Sequence, residues 1–233
     1  MSQVTLKIND REITCEKGTY ILSLCRQLGI DVPTMCHNDA LTPGGHCRLC
    51  LVELREGDWS KVVTSCLFPA KEGQTFYTDT PKVVATRKTI IELMLARAPQ
   101  AEAVKALAVK YIGRAETPYV IENDTEKCIL CGLCVEACEE VVGVSAIGVS
   151  SRGIFKKVST PFEVESDACI GCGACAFVCP TEAIDVTEID GVRRIWGRDF
   201  ELVQPSRVGS PPVPKAQIEW MKENFKVDPS FFK

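Results

Sequence analysis

Apolar and polar residues alternate through the first part of the chain, as they do in strands that bury one face. Two such runs, Val4–Ile8 and Glu12–Cys15, flank Asn9-Asp10, and this arrangement predicts a β-hairpin. Similar strand patterns occur at Leu51–Leu54 and at Val62–Thr64. Residues 1–80 are therefore predicted to form a domain built mainly of strands.

Two stretches have the period of a helix. The shorter one, Tyr20–Leu28, follows Thr19, a residue suited to N-capping, and ends at Gly29. The longer one covers residues 81–112, where apolar side chains recur at helical spacing and Pro99 is predicted to interrupt the helix. This second stretch contains no cysteine and is predicted to connect two domains.

The rest of the chain contains a repeat and then a tail. The cysteine runs Cys128–Cys138 and Cys169–Cys179 are similar and lie roughly forty residues apart, which indicates a duplicated small unit. After Ile184 the pattern predicts two strands joined at Asp190-Gly191, the second covering Val192–Trp196. The proline-rich sequence that follows leads to a short helical pattern, Lys215–Phe225, and has too few apolar residues to form a core of its own.

Composition excludes several classes of function. The net charge of −4, without a block of lysine and arginine, argues against nucleic acid as a partner. No run approaches the ~20 apolar residues of a membrane span. The first ten residues lack the layout of a signal peptide, so a cytoplasmic location is predicted. Fourteen cysteines in such a chain indicate metal or cluster ligation, because disulfides are disfavoured in that compartment.

Each cysteine run has the spacing C-x2-C-x2-C-x3-C of bacterial ferredoxins with two [4Fe–4S] clusters. In those proteins the last cysteine of each run ligates the cluster of the other run. The first cube is therefore assigned to Cys128, Cys131, Cys134 and Cys179. The second cube is assigned to Cys169, Cys172, Cys175 and Cys138. Gly132, Gly171 and Gly173 suit loops that approach a cluster closely.

Zinc is the main alternative for these cysteines, because repeated C-x2-C pairs also form four-thiolate zinc sites. A zinc site would use two such pairs and leave the remaining cysteines of each run without a role. The complete runs therefore favour clusters. Glu139 follows Cys138 at a position where simple ferredoxins often have proline, which is a departure from that group.

A different spacing, Cys36-x10-Cys47-x2-Cys50-x15-Cys66, predicts a [2Fe–2S] site. Plant-type ferredoxins use C-x4-C-x2-C and a distant fourth cysteine, so only the first gap is longer here. The neighbouring His37 and His46 lack the paired placement of a Rieske site and are interpreted as loop residues. The two remaining cysteines, Cys15 and Cys25, are interpreted as buried thiols.

Together the patterns predict an α+β chain of four parts. These are a β-grasp [2Fe–2S] ferredoxin domain (1–80), a helical connector (81–117), a bacterial-type 2[4Fe–4S] ferredoxin domain (118–188), and a hairpin with an extended C-terminal tail (189–233). Trp220 and Phe231-Phe232 in this tail are candidates for docking on a partner subunit, and folding back on the same chain is the alternative.

Several short phrases carry a resemblance to a known family. They are Pro33-Thr34-Met35-Cys36, Gly45-His46-Cys47-Arg48-Leu49-Cys50, Glu140-Val141-Val142-Gly143, Ser151-Arg152-Gly153 and Cys169-Ile170-Gly171-Cys172-Gly173. With the order of the sites, they resemble the N-terminal iron–sulfur region of the large subunit of bacterial complex I. The diaphorase small subunit of NAD-reducing hydrogenases and the N-terminal part of electron-bifurcating [FeFe]-hydrogenases are similar too. The resemblance covers about residues 1–190.

One site of that family is missing from the sequence. The family usually has a His-x3-Cys-x2-Cys-x5-Cys site after the helix, but Arg97–Gly113 contains neither histidine nor cysteine. The histidine-ligated cluster is therefore predicted to be absent. This favours a trimmed relative, an iron–sulfur subunit of a multi-subunit NAD(P)H-linked oxidoreductase, electron-bifurcating enzymes included.

The predicted function is that of an electron-relay subunit without a catalytic site of its own. No G-x-G-x-x-G after a strand, no P-loop and no Ser/His/Asp motif occurs in the sequence. The resemblance implies a flavoprotein partner similar to the NADH-binding subunit of complex I, so FMN and NAD(P) are expected on that partner. A second redox subunit or a ferredoxin is expected as the other partner.

Two other functions compete with this interpretation. The iron–sulfur subunit of succinate dehydrogenase or fumarate reductase also has three clusters, but its third site usually departs from the four-cysteine spacing and its first site has the shorter plant-type gap. A cluster-based redox sensor would bind DNA or an effector, and neither a basic face nor a helix-turn-helix pattern occurs here.

Overall fold

The structure of this chain is a computed structural model that describes residues 2–122, 125–205 and 209–225. The chain divides into two units, residues 1–132 and residues 133–233. The division into four parts at 80, 117 and 188 stays a prediction.

The first unit is a mixed sheet with helices, the α+β class predicted for this region. Its elements are β1 (Gln3–Ile8), β2 (Arg11–Glu16), α1 (Ile21–Gln27), β3 (Leu51–Glu56), β4 (Trp59–Thr64), β5 (Thr75–Tyr77), α2 (Pro81–Arg97) and α3 (Glu102–Ile112). The strands are ordered β2-β1-β5-β3-β4. Strands β1 and β5 run parallel, and every other neighbouring pair is antiparallel. With α1 packed on the sheet, this is the predicted β-grasp arrangement.

The hairpin between β1 and β2 forms where the sequence predicted it. Ile8 pairs with Arg11, which leaves a two-residue turn. Both turn residues are left-handed, with φ of 47° at Asn9 and 63° at Asp10. Asparagine and aspartate tolerate this conformation better than other residues with side chains, so the turn fixes the register of the strands.

Alternation along the strands directs one set of side chains into a core shared with α1. Leu6, Ile8, Leu24 and Phe76 are fully buried in this core. Phe68 packs edge-to-face against Phe76 with ring centroids 5.7 Å apart. The core of the first unit is therefore made mainly of aliphatic and aromatic side chains, which stabilise the sheet by burial of apolar surface.

The predicted N-cap of α1 is wrong. The helix begins at Ile21, and the residue at its N-cap position is Tyr20, which makes no side-chain capping bond. The Thr19 hydroxyl instead donates to the Glu16 carbonyl at 2.8 Å. Thr19 thus closes the turn after β2. Its hydroxyl bonds to the preceding backbone instead of to the free N–H groups at the start of α1.

Helices α2 and α3 follow the prediction closely. Thr80 caps α2, its hydroxyl accepting from the Val83 N–H, and Pro81 occupies the first turn. The helix ends at Arg97, two residues before Pro99, and α3 resumes at Glu102. The interruption at the proline is therefore confirmed.

Arg87 on α2 is a charged residue inside the first unit, with an exposed fraction of only 4%. Its guanidinium donates to the carbonyl oxygens of Leu49 at 3.3 Å, Leu51 at 3.0 Å and Thr78 at 3.2 Å. The Asp79 carboxylate lies 3.5 Å from Nη1. Arg87 thus ties α2 to the loop before β3 and to the end of β5.

The second unit contains short elements and a small sheet. Its elements are α4 (Leu133–Glu136) continuing as a π-helical turn (Ala137–Val142), β6 (Gly148–Ser150), β7 (Lys157–Ser159), α5 (Ala174–Phe177), β8 (Val186–Ile189), β9 (Val192–Ile195), β10 (Arg198–Val203), β11 (Val213–Pro214) and α6 (Lys215–Asn224), with 3-10 turns at Gly153–Phe155 and Pro161–Glu163. One sheet has the order β11-β10-β9-β8, and β6 pairs with β7.

The end of the second unit was only partly predicted. Strands β8 and β9 and helix α6 lie where the sequence indicated them, whereas β10 was missed. The part of the tail that the structure describes, α6, packs against β10 and β11, with Trp220 edge-to-face on Phe225. Phe231-Phe232, the other docking candidates, lie outside the described residues.

No helix in the described part of the chain is long and apolar enough to cross a membrane.

We expect Arg87→Met to lower the free energy of unfolding of the first unit by roughly 2–4 kcal/mol, because it leaves buried carbonyl groups without their donor. The measurement is anaerobic denaturation followed by circular dichroism. Lys88→Met on the exposed side of the same helix is the control and should change stability by no more than about 0.5 kcal/mol. Equal effects of the two substitutions would contradict the role given to Arg87.

Candidate iron–sulfur sites

The first unit brings together the four cysteines predicted to hold a [2Fe–2S] cluster. Cys36, Cys47 and Cys50 belong to the loop between α1 and β3, and Cys66 follows β4. All four are buried, with at most 4% of each residue exposed. The charges of Cys36, Cys47 and Cys50 all act on Cys66, so the four sulfur atoms occupy one region.

Backbone amides in this loop point at sulfur. The Cys47 N–H donates to Cys36 Sγ at 3.2 Å, and the Met35 N–H donates to Cys47 Sγ at 3.5 Å. Such donors favour the thiolate over the thiol, and they are the groups that sulfur ligands of a cluster accept from. The local geometry therefore suits thiolate ligation.

The four thiols form two proton-sharing pairs. Hydrogen bonding from the Cys36 thiol lowers the pKa of Cys47 to about 6, and the pKa of Cys36 is raised in turn. Hydrogen bonding from the Cys66 thiol lowers the pKa of Cys50 to about 7, and the pKa of Cys66 is raised. One thiol of each pair thus has a lowered pKa and the other a raised one, and iron binding must remove the protons that the pairs hold.

Gly45 shows why this loop needs glycine. Its φ is 67°, in the left-handed region, and a Cβ at this position would collide with the Leu67 side chain. Leu67 directly follows the ligand candidate Cys66. A glycine here therefore lets the two segments that carry the cysteines approach each other.

The two histidines and the two non-ligand cysteines, Cys15 and Cys25, lie outside the [2Fe–2S] thiol group. His37 Nε2 is 3.2 Å from Asp39 Oδ1, its Nδ1 is buried without a hydrogen-bond partner among the described residues, and His46 is exposed. Cys25 is fully buried in the core, and desolvation raises its pKa to about 12. Cys15 is half-buried on β2. The positions of the histidines and of Cys25 agree with the interpretation as loop residues and a buried thiol, whereas Cys15 is less buried than predicted.

The second unit brings together the four cysteines assigned to the second cube. Cys169, Cys172 and Cys175 line one small cavity together with Cys138, which belongs to the other cysteine run. Apolar residues complete the lining, among them Ile147, Ile170 and Ile195. The fourth thiol of this group therefore comes from the first run, as the crossed assignment requires.

Nitrogen donors also face sulfur around this cavity. Backbone N–H groups of Gly171, Ala174 and Ala176 hydrogen-bond to the thiols of Cys169, Cys172 and Cys175 in that order. The Ala146 N–H donates to Cys138 Sγ at 3.2 Å. Each thiol of the group thus has a backbone donor, the arrangement expected of a loop that wraps a cluster.

Burial acts in the opposite direction on the same thiols. Desolvation raises the pKa of Cys175 to about 11 and also raises the pKa values of Cys169 and Cys172. These thiols are therefore neutral at pH 7 without iron, and ligation must remove their protons.

Gly171, in the loop between Cys169 and Cys172, lies against an aromatic ring. Its φ is 69°, and a Cβ would meet Phe200 Cγ at 2.5 Å. Phe200 belongs to β10, so the missed strand packs directly on the loop that carries Cys169 and Cys172. The close approach that the structure shows at Gly171 is that of a phenyl ring, and the close approach to a cluster stays a prediction.

The cysteines assigned to the first cube fall in both units, so their assembly stays a prediction. Cys128 and Cys131 belong to the first unit, and Cys134 and Cys179 to the second. The Leu130 N–H donates to Cys128 Sγ at 3.4 Å, and the Ala183 N–H donates to Cys179 Sγ at 3.3 Å. These donors are of the same kind as those of the other two groups.

The two groups of four thiols fit iron–sulfur clusters. Backbone N–H groups point at their sulfur atoms, and Gly45 lies where a side chain would collide with the neighbouring segment. Among the described residues, no group of three or more His, Cys, Asp or Glu side chains is arranged to hold a single metal ion.

Sequence reasoning missed several side chains that contact the cysteine loops. Arg87 carried no predicted role, although it lies four residues from both Val83 and Ile91, on the buried face of α2. Trp196 was predicted to end a strand, whereas it lies next to Gly197 in a tight turn. Two features of the sequence could have revealed these residues. Arg87 is a charged residue on the apolar face of a predicted helix, and Trp196 is a bulky residue directly before Gly197, in a position typical of a hairpin turn.

Two families match the chain. The family described as "2Fe-2S iron-sulfur cluster binding domain" matches residues 1–81, and the one described as "4Fe-4S dicluster domain" matches residues 121–186. The chain therefore contains one [2Fe–2S] domain and one domain for two [4Fe–4S] clusters, and the predicted fold class is confirmed.

Curated relatives include components of NAD(P)H-linked enzymes. NADPH-Fe(3+) oxidoreductase subunit alpha of Geobacter sulfurreducens is 31% identical over 97% of this chain and 28% of its own length. A component of the NADH-quinone oxidoreductase of Rhizobium meliloti is 31% identical over 88% of this chain and 28% of its own. NADP-reducing hydrogenase subunit HndD of Solidesulfovibrio fructosivorans is 28% identical over 88% of this chain and 39% of its own length. The chain thus spans well under half the length of these relatives.

One solved structure has a similar fold. An NAD+-reducing [NiFe]-hydrogenase in the H2-reduced state matches with a TM-score of 0.58 and 25% identity, over 67% of this chain and 74% of that one. The resemblance to complex I subunits and to NAD-linked hydrogenases is therefore confirmed.

Serine substitutions test the crossed ligand sets. We expect Cys138→Ser to alter the EPR signal that Cys172→Ser also alters, because both sulfurs belong to the second group. Cys179→Ser should alter the signal that Cys131→Ser alters. The crossed assignment is wrong if Cys179→Ser and Cys172→Ser disturb the same cluster and leave the other unchanged.

Proposed function

We propose that this chain is the electron-relay subunit of a multi-subunit NAD(P)H-linked oxidoreductase. It passes single electrons between a flavoprotein subunit and a second redox partner, and electron-bifurcating enzymes belong to the same class. Bound iron–sulfur clusters supply the one-electron chemistry. The protein's own residues hold the clusters, shield them and set their potentials.

The observation that carries this proposal is the grouping of eight buried or half-buried cysteines into two four-thiol sets. One set consists of Cys36, Cys47, Cys50 and Cys66, and the other consists of Cys138, Cys169, Cys172 and Cys175. Cys128, Cys131, Cys134 and Cys179 are proposed as the third set. Apolar side chains and backbone amides surround the thiols, and such surroundings suit electron storage better than acid–base catalysis.

The relatives support the choice of enzyme class. Their names include NADPH, NADH and NADP as the substrates of the complexes to which they belong. We propose that NAD(P) and FMN bind to a flavoprotein subunit similar to the NADH-binding subunit of complex I. A second redox subunit or a ferredoxin completes the relay.

The surroundings proposed for this subunit are those of the cytoplasm. Cysteines persist there in the reduced form that cluster ligation requires. The net charge of −4 weighs against nucleic acid as a partner. The domain limits 1–80, 81–117, 118–188 and 189–233 remain part of the proposal.

Iron analysis tests the cofactors. Two irons in the binuclear site and four in each cube give about ten irons per chain in an anaerobic preparation. The preparation should be brown and should bleach on reduction. A value near fourteen irons would mean a further cluster, and a colourless protein with stoichiometric zinc would contradict the proposal.

Isolation of the native complex tests the partners. A tag on this chain is expected to bring down a flavin-containing subunit, and the purified complex should reduce an artificial electron acceptor with NADH or NADPH. Mass spectrometry identifies the subunits, and fluorescence of the released flavin measures FMN. Isolation of the chain with all its iron but without any flavoprotein would contradict this part of the proposal.

A further inference from the structure

A hairpin beyond the dicluster domain lies against the second cysteine group. Strands β9 and β10 span Val192–Val203, whereas the dicluster family matches only residues 121–186. Ile195 and Phe200 from these strands are buried in the same core cluster as Cys138 and Cys175. The hairpin is thus an addition that covers the loop of Cys169, Cys172 and Cys175.

The turn of this hairpin contains a residue that the turn itself disfavours. Ile195 pairs with Arg198, which leaves Trp196 and Gly197 as a two-residue turn. Both residues are left-handed, with φ of 53° and 83°. Asparagine, aspartate and glycine are preferred at the first of these positions, and a bulky side chain there is an outlier. Such outliers concentrate at functional sites.

The strained residue directs a donor at a cysteine sulfur. The Trp196 indole Nε1–H donates to Cys175 Sγ at 3.5 Å. Cys175 is buried, and the tryptophan lines the cavity that the four thiols share. An indole nitrogen can only donate, so this contact favours negative charge on the sulfur.

Two arginines of the hairpin hold the carbonyl groups of the cysteine loop. Arg193 Nη1 donates to the Gly171 carbonyl at 2.9 Å and to the Cys172 carbonyl at 3.2 Å. Arg198 Nη1 donates to the Ser166 carbonyl at 2.5 Å and to the Cys169 carbonyl at 3.2 Å. The hairpin therefore places two positive charges within one residue of the sulfur ligands.

Nearby carboxylates offset these charges only in part. Glu188 pairs with Arg193 at 2.7 Å, and its side chain is 45% exposed. Asp167 lies 4.0 Å from Arg198 and is fully exposed. Water screens exposed carboxylates, whereas the arginines are more deeply buried and lie against the loop itself.

We propose that the β9–β10 hairpin raises the reduction potential of the cluster held by Cys138, Cys169, Cys172 and Cys175. Reduction adds negative charge to a cluster, and hydrogen bonds to its sulfurs, together with nearby positive charge, stabilise the reduced form. Trp196, Arg193 and Arg198 are positioning residues that act through the ligands. This inference rests on the proposed function, since it requires that the second group holds a cluster.

The test is an EPR-monitored redox titration of the anaerobic, cluster-loaded protein. Cys172→Ser identifies the signal of this cluster. Trp196→Phe removes the indole donor and keeps an aromatic ring, and Arg193→Gln removes one charge. Both variants should shift the midpoint potential of this cluster to more negative values and leave the [2Fe–2S] potential unchanged. Arg193→Lys keeps the charge and should therefore retain most of the midpoint potential of the unaltered protein.

Arg194→Gln is the matched control on the same strand. Arg194 pairs with Asp199, and its side chain is 64% exposed. This variant should leave the potential of the cluster as it is in the unaltered protein. An equal shift in Arg193→Gln and Arg194→Gln would indicate a general charge effect and overturn the role given to Arg193.

The remaining outcomes decide the proposal as well. Full iron content with unchanged potentials in Trp196→Phe and Arg193→Gln would overturn it. Loss of four irons from both variants would show that the hairpin only retains the cluster, which also overturns it. If only Trp196→Phe loses iron, the midpoint potential measured in Arg193→Gln decides: a negative shift supports the proposal, and an unchanged potential overturns it. The proposed function itself fails separately, when the unaltered protein lacks the expected iron and EPR signals.

Discussion

Donation from N–H groups to buried cysteine sulfur is the interaction on which both units depend. Burial alone keeps the thiols protonated, as the raised pKa values of Cys169, Cys172 and Cys175 indicate. Ligation needs thiolates, so the loops must supply compensation where water cannot enter. Backbone amides provide it at Cys36 and at Cys138, where donors lie 3.2 Å from sulfur. The short, irregular elements around the cysteines follow from this need, because amides committed to a helix or sheet ladder cannot turn inward.

Turning amides toward sulfur leaves carbonyl oxygens that also need partners. The structure answers this with arginines that reach the loops from neighbouring elements. Arg87 from α2 binds the carbonyls of Leu49 and Leu51, on either side of Cys50. Arg193 binds the Gly171 and Cys172 carbonyls in the other unit. Because the planar guanidinium has five donors, one side chain can hold several carbonyls, which a lysine does less well.

Much of this arrangement could be predicted from the sequence because it follows from local patterns. The rest depends on contacts between distant residues and could not be predicted. Cysteine spacing is a local pattern, so it located both ferredoxin domains, and the helical period of the apolar residues located α2 and α3 with their break at Pro99. The paired turn residues Asn9-Asp10 likewise located a hairpin. Contacts between distant residues leave no such pattern: Phe200 on Gly171 and Trp196 on Cys175 join positions 29 and 21 residues apart. Thr19 is not the predicted cap because its hydroxyl donates to the Glu16 carbonyl and leaves the first turn of α1 without a side-chain cap. Only the folded backbone decides between these two roles of the hydroxyl.

The two units differ in how far their folds depend on the cysteines. The first has a core of side chains such as Leu6, Ile8 and Phe76, to which the ligand candidates Cys50 and Cys66 add only at one edge. In the second, Cys134, Cys138 and Cys175 are themselves core residues, packed with Ile195 and Phe200. Iron ligation would cross-link the distant segments that carry these cysteines and contribute to the free energy of folding. The hairpin β9–β10 adds the apolar cover and the cations that such a small core lacks. With the proposed cluster in place, retention of the cofactor and folding of the second unit would be one equilibrium.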